Sequence, residues 1–109
     1  MLSVEYEAVV YLAAGLEHVG YRAVFYSAKL KGAHEPLKTD SGAFNSVLHI
    51  DLGKDLRDFS RRTAWAVMVK LAYSSRNLFM VLPKLRPVRP SRLKGSFERG
   101  ATFIYDTSH

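Results

Sequence analysis

The chain reads as an α+β fold in which two helices pack on one face of a small, mainly antiparallel sheet, in the order α-β-β-α-β-β. Three observations predict that class. Apolar residues recur at helical spacing through the first twenty positions, a stretch near residue 50 alternates with period two, and a second long helical pattern follows it. A length of 109 residues is that of one ordinary domain. Residues 1–109 are therefore read as a single unit, with a basic, proline-containing surface segment at 83–100.

From Ser3 to Val19, the residues Val4, Ala8, Val9, Leu12, Leu16 and Val19 form one apolar stripe, with Ser3 placed to cap and Gly20 placed to stop. Glu5 and Glu7 complement the dipole at the start of this helix. Tyr21 to Leu30 is rich in β-formers and has apolar residues for both faces of a sheet. Lys31 to Gly42 collects Gly, Pro, His, Asp and Ser, which predicts a loop. Asn45 to Leu52 sets Leu48, Ile50 and Leu52 on one face and Val47, His49 and Asp51 on the other, so one face is core and the other largely polar.

Asp55 is placed to cap a second helix running to about Arg76. Its early turns put Leu56, Phe59, Thr63 and Val67 on an apolar stripe, with Arg57, Asp58, Arg61 and Arg62 opposite. Trp65, Met68, Val69 and Ala72 then continue along the charged side, so the later turns must be covered on both sides. Leu78 to Leu82 is read as a short strand closed by Pro83, and Ala101 to Asp106 as the last one.

Composition excludes several functions. There is no cysteine, which rules out disulfide scaffolds, thiolate zinc sites and thiol nucleophiles. The longest apolar run, Ala8 to Leu16, is far short of the roughly 20 residues that span a bilayer, and no membrane role is expected. Met-Leu-Ser-Val-Glu at the start lacks the basic flank of a signal peptide, so a cytoplasmic location is expected. The glycines form neither a dinucleotide fingerprint nor a phosphate loop, and the serines have no nucleophile-elbow setting. His49 and Asp51 share a strand face and are the best acid/base or metal pair on offer. No Glu-x-Lys accompanies them, as a two-carboxylate nuclease centre would require. Glu7 and His18 lie three helical turns, about 16 Å, apart and cannot exchange a proton. No enzyme, cofactor or metal site is expected.

What remains is charge. Sixteen basic against ten acidic residues give +6. Lys84, Arg86, Arg89, Arg92, Lys94 and Arg99, opposed by Glu98 alone, account for five of those six charges. Proline holds such a segment extended, and arginine offers planar two-donor contacts to phosphate. Arg57, Arg61 and Arg62 would join them if the segment folds back beside the second helix. These residues predict a non-enzymatic protein that binds DNA or RNA mainly through phosphates. A solvated loop that only maintains solubility is the competing account.

The alternative from another class is a protein-interaction module, whether an assembly subunit or a small inhibitor of the kind viruses and mobile elements encode, docking on an acidic protein surface. Trp65, Met68, Val69 and Ala72 are its candidate interface, a homo-oligomer included, although a stripe of this kind in a small domain is more often core. Lys84-Leu85-Arg86-Pro87-Val88-Arg89-Pro90 also has the spacing of a polyproline ligand, at odds with a segment that leads into a further strand.

Overall fold

A computed structural model describes residues 4–27, 37–39, 42–44, 46–51, 61–93 and 95–105. Helix α1 (Val4–His18) ends where glycine permits it. Gly20 adopts φ +102°, its N–H donates to the Glu17 carbonyl at 3.0 Å, and the Tyr21 N–H reaches back to the Leu16 carbonyl at 2.9 Å. That pair of bonds is a Schellman stop. Glu17 then accepts a bond from the Ala23 N–H at 3.0 Å, tying the end of α1 to the strand that follows.

Strand β1 (Arg22–Ser27) pairs antiparallel with β4 (Ser46–Asp51), which pairs antiparallel with β6 (Ala101–Tyr105), which pairs with β5 (Leu85–Pro87). The sheet order is β1-β4-β6-β5, and β2 (Leu37–Thr39) and β3 (Gly42–Phe44) make a separate two-stranded ladder. The predicted loop at 31–42 thus contains strand residues. Helix α2 (Arg61–Ala72) and helix α3 (Arg76–Val81) complete the layer that begins with α1.

Among the described residues the result is an α+β fold with three helices and a four-stranded antiparallel sheet, where two helices were expected. The difference arises at two serines. Ser74 donates its hydroxyl to the Leu71 carbonyl at 2.6 Å and Ser75 is extended, at φ −150° and ψ 125°. The chain therefore leaves α2 at Ala72 instead of continuing to Arg76, and the start expected at Asp55 lies outside the described residues. The strand expected at Leu78–Leu82 is α3 and the turn after it: Leu78, Val81 and Leu82 are buried while Phe79 and Met80 are exposed, a helical period hidden in an unbroken apolar run. Pro83 falls at the start of a 3-10 turn, Leu82–Lys84, where its missing N–H costs nothing.

Strand parity sorts the sheet into two faces. Ala23, Phe25, Leu48, Ile50, Leu85, Ala101, Phe103 and Tyr105 belong to the helix side, packed with Val9, Leu12, Leu16, Met68 and Ala72. A buried Ser27–Ser46 hydroxyl pair at 3.2 Å lies at the end of the same side, with the Tyr6 hydroxyl 3.5 Å from Ser46. On α2 the buried stripe is Ala64, Met68 and Ala72, and Thr63 is exposed, so the expected stripe through Thr63 and Val67 is displaced by one position around the helix. Leu56 and Phe59 lie outside the described residues.

The other face, expected to be largely polar, is covered. Residues after β5 cross it, and Val88 and Leu93 bury themselves on Val47, joined by Phe97, Tyr26 and Ile104. Two 3-10 turns, Pro90–Arg92 and Gly95–Glu98, shape this cover. It returns to the sheet at Gly100, which takes φ +94° because the Ile50 carbonyl passes where a Cβ would stand.

Candidate nucleic-acid interface

The basic segment at 83–100 is thus built in and does not hang free as a loop. Leu85, Val88 and Leu93 are its buried anchors, and the Val88 N–H donates to the Thr102 carbonyl at 2.8 Å. Between the anchors stand the cations. Arg86 is exposed on β5, opposite Ile104 on the covered side of the sheet. Arg89 and Arg92 are exposed to either side of Pro90, and the Arg92 N–H donates to the Arg89 carbonyl at 3.0 Å. Arg99 is exposed just before Gly100, next to exposed Glu98, while Lys84 is half-buried in the 3-10 turn that leads into β5. Lys94 lies outside the described residues.

Proline has a different part here from the one expected. Pro87 ends β5, an outer strand of the sheet, which is where a residue without an N–H is tolerated. The polyproline-ligand reading of Lys84–Pro90 does not fit: Leu85 and Val88 are buried, and residues 82–84 are a 3-10 turn.

Of the second basic group only Arg62 has a described side chain, and it belongs to α2, on the side of the sheet away from the cover. Trp65 lies on Phe103 with ring centroids 6.1 Å apart, which puts α2 on the helix side of the sheet, and the cover crosses the opposite side. Arg62 is exposed in the first turn of α2. Arg61 begins that helix, its side chain undescribed, and Arg57 lies outside the described residues. One cation the sequence reading missed does belong with the cover's face: Arg22 is exposed on β1, directly across from Asp51. Its signal was the alternation of Arg22, Val24 and Tyr26 against buried Ala23 and Phe25.

His49 and Asp51 share a face, as the period of two requires, but His49 is only 6% exposed. Its Nδ1 shares a hydrogen bond with Thr102 Oγ1 at 2.8 Å, and the Phe97 ring stands edge-on to it at 5.0 Å. Burial pushes the imidazole below its ordinary value, and Asp51 and the Arg99 backbone offset part of that push. Among the described residues no three His, Asp or Glu side chains converge as a metal site would require, and no helix is long and apolar enough to cross a membrane.

Of the candidate protein interface, Met68 and Ala72 have no exposed surface, and Trp65 and Val69 are half-buried against the helix-side core. That stripe is core. Exposed apolar groups lie elsewhere, on α1 at Val10 and Tyr11, after it at Val19, and at the α2–α3 corner, where Tyr73 is 75% exposed, Met80 67% and Phe79 41%, with the Tyr73 and Phe79 rings edge-to-face at 5.2 Å. A groove of about 370 Å³ between α1 and the α2–α3 corner, with Tyr11, Leu71, Ser75 and Asn77 in its walls, has no charged lining and so does not extend the basic face. No protein-family model matches the sequence, and comparison with curated proteins and with solved structures finds no match.

Proposed function

We propose that this chain is a non-enzymatic binding protein that engages DNA or RNA mainly through phosphate contacts from the cover over its sheet. The observation that carries this reading is the exposure of Arg86, Arg89, Arg92 and Arg99 on a segment whose apolar side chains are anchored in the fold. Anchoring removes most of the backbone entropy that a free basic tail would lose on binding. Arginines already held apart on one surface suit a repeating polyanion. No base-reading element is part of the proposal.

Counterion release makes it measurable. Each phosphate neutralised on duplex DNA contributes about −0.9 to the slope of log K against log salt. Four contacts give a slope near −3.6, and changing Arg86, Arg89 and Arg92 together to alanine flattens it by up to about 2.7. A triple change to lysine retains the slope. Fluorescence anisotropy with a labelled duplex and a labelled single strand at several salt concentrations reads both quantities. Absence of salt-sensitive binding at low ionic strength removes the proposal.

A second reading, docking on another protein, is favoured by Tyr73, Phe79 and Met80. Exposed aromatic and methionine side chains are enriched in interface centres. Tyr73→Ser with Met80→Ser is expected to abolish association with such a partner, measured by light scattering or co-purification, while leaving the salt slope as it was.

A further inference from the structure

Strand register places His49 at the middle of the covered face, with Val24 beside it on β1 and Thr102 on β6. Phe97 closes over it and also meets Tyr26 edge-on at 5.4 Å. Nδ1 is bonded to Thr102, but Nε2 is buried with no hydrogen-bond partner. The cover itself is held by few apolar groups, Val88, Leu93 and half-buried Phe97, whereas the helix side holds most of the core. It is fixed at both ends, by the Val88 N–H on Thr102 and by Gly100 against β4.

We propose that His49 is a proton-operated latch: neutral, it lies beneath Phe97 and the cover is closed; protonated, it releases residues 88–93 and 95–99 from the sheet while the helix side stays folded.

An imidazolium carries two N–H donors. Thr102 Oγ1 can accept one, and in the closed state the Arg99 backbone gives the proton only partial support, which burial outweighs. A buried cation so placed is costly, and lifting Phe97 admits the water that solvates it. The charged groups around it act in both directions. Asp51 on the same strand and the Arg99 backbone favour the proton. The Arg99 side chain is exposed at the end of the cover, and Arg22 stands across from Asp51 on β1, so both place positive charge on this face. Glu98 is exposed on the cover. Burial outweighs these partners and holds the imidazole below the ordinary histidine value of 6.5. The open state therefore binds the proton more readily. Closure is complete above about pH 6.5 and falls as pH drops toward the depressed value, by up to about tenfold per pH unit.

Amide hydrogen exchange, corrected for intrinsic rates and taken at pH 7.5 and 5.0, reads the latch without any ligand, so the result is independent of what the arginines bind. Protection at Val88 and Arg92 is expected to fall at pH 5.0, by at most about thirtyfold, with α1 protection and Trp65 emission unchanged. His49→Gln should abolish that pH dependence and His18→Gln should retain it. Phe97→Ala, which weakens the closed state, should move the opening midpoint to higher pH. Protection at Val88 and Arg92 that is the same at both pH values, or that falls equally in His49→Gln, overturns the proposal. Should His49→Gln fail to fold, the wild-type imidazole resonances decide: a His49 titration without accompanying change at Val88 and Arg92 overturns it as well.

Discussion

Gly100→Ala is expected to cost more stability than alanine at Gly15 or Gly20. A Cβ at Gly100 would collide with the Ile50 carbonyl oxygen and stand 3.0 Å from the Asp51 Cα, so backbone of the central strand β4 would have to move. Left-handed backbone adds about 1–2 kcal/mol for a residue with a side chain. Gly20→Ala provides the control. It carries a similar φ of +102° but meets nothing within 4 Å, so it isolates the conformational cost. A total loss of about 3 kcal/mol at Gly100 lowers the melting temperature of a domain this size by roughly 12–24 °C. Gly20→Ala, with the conformational cost alone, should lower it by roughly one third to two thirds of that. Differential scanning calorimetry of the two variants separates strain from collision, and equal losses would show that β4 accommodates the methyl group.

Met68→Asp is expected to abolish folding. Met68 has no exposed surface and lies in the same cluster as Leu12, Leu48 and Phe103, so a carboxylate there has neither water nor a cation to meet. The cost of burying it unpaired is several kcal/mol, against a total stability of about 5–15 kcal/mol for ordinary domains. Trp65→Glu is expected to be milder, because Trp65 is half-buried and its carboxylate could turn outward, at the expense of the tilted contact with Phe103. Circular dichroism with light scattering distinguishes the outcomes. A Met68→Asp protein that is folded but reduced in oligomeric size would restore the interface reading of this stripe.

The elements legible beforehand were those whose pattern is local. Gly20 stops α1 for the reason its position suggested, and Leu48 and Ile50 face the helices as their alternation required. Two features were hidden. At residues 78–82 the run Leu-Phe-Met-Val-Leu has no polar gap to reveal its period, and tertiary burial alone distinguishes Leu78, Val81 and Leu82 from Phe79 and Met80. In the basic segment, nothing in the spacing of Val88, Leu93 and Phe97 among their charged neighbours signals a cover over a sheet. The polar character assigned to the face of His49 followed from β4 alone. Tyr26 and Ile104, contributed by distant stretches, make that face worth covering. The candidate arginines were found by composition, and only the three-dimensional arrangement separates those of the cover from Arg62.

The position of β6 between β4 and β5 has a kinetic consequence. Residues 47–50 find their partners only at 101–104, and closing a loop of about fifty residues costs about 3.5 kcal/mol plus a constant before any ladder bond forms. The β5–β6 pairing spans a shorter loop, and that loop is the arginine cover itself. The accessible route is for β5, the cover and β6 to assemble as one hairpin-like unit and then dock on a β1–β4 pair already held by α1. Until docking, β4 presents one unpaired edge, with Val47, Leu48 and Ile50 exposed along it. An apolar strand edge of this kind is the template on which partly folded chains associate. The dense positive charge of the incoming unit, repelling its copies on other chains, keeps such encounters infrequent while the sheet is completed.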